Sequence, residues 1–125
     1  MNEEDRIQSS IVKFFRKAYA GKCAAVANGG WRNQLEALKL KMTGVDAGHP
    51  DLVFWCPHGA FLMEVKTPTG TLSKIQKEYI ADLRDMGYPV AVVHSLEEAQ
   101  AAMKVWAFQP KQPRARTEAE RRTWL

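Results

Sequence analysis

A chain of 125 residues, 46% hydrophobic and 26% charged, is one domain long enough to bury its own core. Nothing in it approaches the ~20 consecutive apolar residues that span a bilayer, and two cysteines, Cys23 and Cys56, make neither a disulfide framework nor a zinc site. The net charge of +4 is mild but clustered, with Arg32, Lys39 and Lys41 in one stretch and Lys111, Arg114, Arg116, Arg121 and Arg122 near the end, a distribution that suits solubility or a phosphate backbone equally.

The acidic start, Met1 to Asp5, lacks the basic residues and apolar stretch of a signal peptide, so the expectation is a cytoplasmic protein with reduced thiols. Residues 3–19 read as a helix capped by Asn2. Glu4, Ile7, Ile11, Phe14 and Ala18 lie on one face of it, and Gly21 stops it. Lys22 to Ala27 reads as a strand and Asn28-Gly29-Gly30 as a turn. Residues 33–42 favour helix, and Thr43 to Pro50, with Gly44, Gly48 and Pro50, is a loop.

Two strands are expected at 51–56 and 60–66, joined by Pro57-His58-Gly59. A loop from Thr67 to Thr71 leads to a helix over 73–86, with Ile75, Tyr79, Ile80, Leu83 and Met86 on one side and Gly87 as its stop. Pro89 to His94 is a continuous apolar strand of the kind buried on both faces. The helix over 95–106 opens on a capping box, Ser95 with Glu98. Residues 1–108 make the domain. Residues 109–125 read as a basic arm, in which Glu118 to Leu125 could form a short helix. The expected class is α/β, a small mixed sheet flanked by helices in the order α-β-α-β-β-α-β-α.

Chemistry concentrates at Pro50-Asp51 and Glu64-Val65-Lys66. If the two apolar runs pair, Asp51, Glu64 and Lys66 meet at one sheet edge, and neighbouring carboxylates repel unless a cation lies between them. Mg²⁺ needs only one or two protein carboxylates, and the Val65 carbonyl is placed to complete such a shell. Glu64 and Lys66 share a strand face, so the lysine could orient a water or neutralise a phosphate. The plainer alternatives are a surface ion pair between Glu64 and Lys66 and a turn-starting Asp51.

These motifs, Gly48-His49-Pro50-Asp51-Leu52 with Glu64-Val65-Lys66, resemble the PD-(D/E)xK nuclease signature. With Glu4 to Gln8, Asn28-Gly29-Gly30, Glu36 to Gly44, and Leu72-Ser73 with Gln76-Lys77, the chain is similar to the VRR-NUC family over about residues 3–105. The resemblance implies a restriction-endonuclease-like fold, Mg²⁺ or Mn²⁺ dependence, and homodimers cutting branched DNA such as four-way junctions. Flap, nicked or RNA substrates, or a non-catalytic DNA-binding subunit, are the alternatives.

Residue by residue, the family's metal carboxylates fall on Asp51 and Glu64, its motif lysine on Lys66, and its first-helix acid on Glu4. Glu4 also lies on the apolar stripe, where a carboxylate needs a cation or donors, although it equally suits the positive end of a helix dipole. Gln76 corresponds to an active-site glutamine, yet Ser73-x-x-Gln76 is also a capping box. Gly29 and Gly30 could let backbone amides meet a phosphate, and Lys39 and Lys41 could clamp the DNA backbone. His49, His58 and His94 show no ligand spacing.

Overall fold

Asn2 starts the first helix by accepting the Asp5 N–H at 2.8 Å, and three acids fill the first turn, where the helix dipole favours them. The computed structural model describes residues 1–26, 33–111 and 117–122. Helices α1 (Glu3–Ala18), α2 (Gln34–Met42), α3 (Lys74–Asp85), α4 (Leu96–Val105) and the short α5 (Glu118–Arg121) are interspersed with strands β1 (Lys22–Ala25), β2 (Leu52–Cys56), β3 (Gly59–Val65) and β4 (Val90–Val93), in the order α1-β1-α2-β2-β3-α3-β4-α4-α5. The strands form one sheet in the order β1-β2-β3-β4. It is mixed, as the element order implies. A two-residue turn joins β2 to β3 antiparallel, with Cys56 paired to Gly59, whereas β4 returns parallel to β3 after the α3 crossover.

Alternation along the strands divides the core in two. On one face Ile11 and Phe15 of α1 and Ala99 and Met103 of α4 pack against Leu52, Phe54, Phe61, Met63, Val65 and Val93. On the other, Ile80 of α3 meets Leu62 and Val90, with Val53, Leu72, Leu83 and Val92 half-buried around them. β4 is therefore packed on both faces although it is a sheet edge. The α3 face is narrower than its periodicity suggests, because Ile75 and Met86 are exposed. On α1 the fully buried aromatic is Phe15, with Phe14 only packed against the cluster.

The helix ends follow their residues closely. Gly87, at φ 94°, closes α3, with the Tyr88 N–H donating to the Leu83 carbonyl. α4 ends in the same way on Ala107, at φ 56°, with the Phe108 N–H donating to the Met103 carbonyl. Its expected capping box is half formed. Ser95 accepts the Glu98 N–H, but the Glu98 carboxylate reaches one residue further back, to the His94 N–H and Nδ1. The chain also stays bonded to the fold past Phe108. Tyr19 bridges Pro110, the Ala20 N–H donates to Gln109 and the Lys111 N–H to Ala18. Both cysteines are free thiols, and none of the described helices is long and apolar enough to cross a membrane.

Candidate active site

Extending the β2–β3 register one pair beyond Leu52 and Met63 sets Asp51 opposite Glu64. Asp51 lies one residue before β2, held from both sides. Its carbonyl accepts the Val26 N–H at 2.8 Å, and its Oδ2 accepts the Val65 N–H at 2.8 Å. Pro50, fully buried, leads into it. The side-chain role of Val65 is packing, in the core between α1 and α4, and its amide is what orients the aspartate. That contact could not be read from residue types, because a backbone donor is assigned by register.

Glu64 is 1% exposed, and its Oε2 has no hydrogen-bond partner. Burial pushes its carboxyl up to about 9, helped by a hydrogen bond to Asp51 and by the charges of Asp51 and Glu4, against the pull of Lys66. Glu4, in the first turn of α1 and half-buried, is raised too, by burial first and then by Asp51. Three carboxylates from three elements thus compete for neutralisation, with Lys66 the opposing charge. Lys66 follows β3 directly, and its N–H continues the ladder to the Val93 carbonyl.

An open cleft of about 260 Å³ collects Glu4, Asp51 and Glu64 with Ala47, Gly48, Ser73, Ile75 and Gln76. Gly48 is required here by its close approach to α3. At φ +87° a Cβ would lie 2.7 Å from the Ile75 Cγ2 and 2.9 Å from its carbonyl oxygen. Gln76 lines the cleft while its Oε1 accepts the Ser73 N–H at 2.9 Å in a complete capping box. Lys39 and Lys41 are exposed on α2, which among the described residues packs on no other helix or strand and does not line the cleft. Gly29 and Gly30 lie outside the described residues.

Among the described residues, no three His, Cys, Asp or Glu side chains converge as a ready-made metal group. Asp51 with Glu64 still fits a divalent cation, because Mg²⁺ is commonly held by one or two carboxylates and keeps its waters. The orphaned Glu64 Oε2 is the donor such an ion would satisfy.

The family model of the VRR-NUC domain matches residues 3–97. A solved structure described as a VRR_NUC domain protein is similar at a TM-score of 0.67 and 22% identity, covering 85% of this chain and 88% of its own. A second, described as a VRR_NUC domain, is similar at 0.64 and 21%, covering 83% and 97%. No curated protein matches the chain. At such identities the two structures establish the fold.

Proposed function

The chain belongs to the VRR-NUC domain family, a family of nuclease domains, and on that premise we propose that it is a divalent-metal-dependent endonuclease acting on branched DNA as a homodimer. One observation carries the proposal: a carboxylate buried to 1% exposure, facing a second carboxylate and leaving one oxygen without a partner. A buried carboxyl with an unpartnered oxygen is costly in either protonation state, and in a purely structural site an apolar residue would serve better.

Asp51 and Glu64 hold Mg²⁺ or Mn²⁺, with the Val65 carbonyl and Glu4 as further donors. A bound ion of this kind supplies an electrophile for phosphoryl oxygens and an acidified water. The Val65 N–H fixes the Asp51 rotamer, so that carboxylate needs no rearrangement to serve. Lys66, near enough to act on both Glu64 and Glu4, offers its ammonium to the phosphate or the attacking water. Gln76, tethered to the α3 N-cap, presents the remainder of its amide to the cleft. Gly29, Gly30, Lys39 and Lys41 are proposed contacts to the DNA backbone. A second copy is supported by α2, whose Leu35, Leu38 and Met42 are 77%, 54% and 78% exposed.

The test incubates labelled duplex, flap, splayed and four-way DNA, and a matching RNA, with Mg²⁺, Mn²⁺ or EDTA. Cleavage of branched DNA with either metal, abolished by EDTA and by Asp51→Asn, is expected. Failure to cut any substrate sinks the enzyme reading, and activity surviving in Asp51→Asn sinks the site.

A further inference from the structure

Among the described residues, nothing packs over one half of the α3-bearing sheet face. α3 packs over β3 and β4, while on β1 and β2 Lys22, Ala24 and Trp55 of that face are exposed and Val53 alone is half-buried under it. Trp55 is 57% exposed, an unusual place for a large aromatic ring on a strand. Register puts Lys22 directly across from it on one side and Ala60 on the other. Positions 51, 53 and 55 share a face, as do 60, 62 and 64 on β3. Trp55 is therefore on the same face as Asp51 and Glu64. Four residue steps separate it from Asp51, about 13 Å at ~3.3 Å per residue. Half-buried Val53 lies between them.

We propose that this strip docks an unpaired nucleotide of the DNA substrate, whose base stacks on the Trp55 indole while Lys22 meets its phosphate. The proposal rests on the nuclease reading above and deepens it, naming what selects a branched substrate. An indole beside a cation matches the two parts of a nucleotide, a π-face and an anion. The small flanking side chains of Ala24 and Ala60 leave the ring accessible to a flat partner. A fully paired duplex hides its base faces within the stack, so it gains only the lysine contact. Substrates with displaced strands gain both. At ~3.4 Å of rise per base along one strand, the stacked base lies roughly four steps from the carboxylates, which places the cut inside or beside the branch.

The experiment measures binding by fluorescence anisotropy in EDTA, comparing a duplex bearing a single-stranded flap with the matched blunt duplex. Trp55→Val keeps a strand-forming residue at the position, Trp55→Phe keeps a stacking ring, and circular dichroism confirms that both fold. Trp55→Val is expected to weaken flap binding about tenfold, the scale of one base–aromatic stack, and blunt-duplex binding less than twofold. Trp55→Phe should restore most of the loss, and Lys22→Gln should lower the salt dependence of flap binding by about one phosphate contact. Equal loss on both DNAs, or no loss on either, overturns the proposal. So does a shift to monomer in light scattering of Trp55→Val, which would give the strip to a second copy. Cleavage by the wild type is followed in parallel with Mg²⁺. Absence of cutting would sink the nuclease reading, whereas the flap preference answers for Trp55 alone.

Discussion

Glu64 couples stability to pH in a direction opposite to that of most carboxylates. Its folded-state pKa, about 9 against an ordinary 4.5, means that the native protein binds a proton the unfolded chain has released over that range. The metal-free protein should therefore lose stability as pH rises from about 5 to 9. Melting temperatures in EDTA across that range should fall, with Mg²⁺ restoring most at the alkaline end. Glu64→Gln should flatten the slope and raise the metal-free melting temperature at pH 8, while abolishing cleavage. Lys66→Met should cut the rate by about 10²-fold or more, the scale of a lost electrostatic contact in a transition state, and leave calorimetric Mg²⁺ binding in place. That Asp51 and Glu64 meet could be read from the pairing of two apolar runs, whereas the approach of Glu4 to the same cleft was expected chiefly from the family resemblance. The Val65 amide was not legible, and neither was the wall formed by Ala47 and Ile75, since both depend on how distant segments meet.

Helix and turn chemistry accounts for the elements more fully than periodicity does. Asn2, Ser73, Ser95 and Gly87 sit where capping rules place them. The C-terminus of α4 was harder to read, because Ala107 takes the left-handed position that glycine normally fills. Ala107→Gly removes that strain and is expected to stabilise the protein by about 1 kcal/mol, seen in urea unfolding. Gly48→Ala should do the reverse, costing about 1–2 kcal/mol and slowing cleavage, because the added methyl pushes Ile75 and with it the start of α3. Glu98 shows why motifs are only half-readable. Its spacing from Ser95 matched a capping box, yet His94 offered two donors, N–H and Nδ1, and took the carboxylate.

At the scale of the molecule, one sheet carries a core on each face, and the cleft opens where α1, the β2–β3 end and α3 converge. Phe54, fully buried against Phe15 and Phe108, should cost ~3–5 kcal/mol as Phe54→Ala. The α/β class and the order of elements could be read from alternation and breakers. That α2 packs on no other described helix or strand could not, since helix-favouring residues say nothing of what covers the helix they form. Leu38→Glu is expected to leave a monomer near 14.1 kDa by light scattering if α2 joins two copies. The pairing of residues 109–111 with the end of α1 has a mechanical side. α1 is a strut about 24 Å long, at 1.5 Å per residue, with Glu4 at one end and that short zipper at the other. Tension on the C-terminal segment would peel the contacts singly, the Lys111 N–H leaving Ala18 before Gln109 releases Ala20. Only after the zipper has parted would the load reach α4 and the sheet, so a pulled or tethered molecule should yield there first, with its carboxylates still in register.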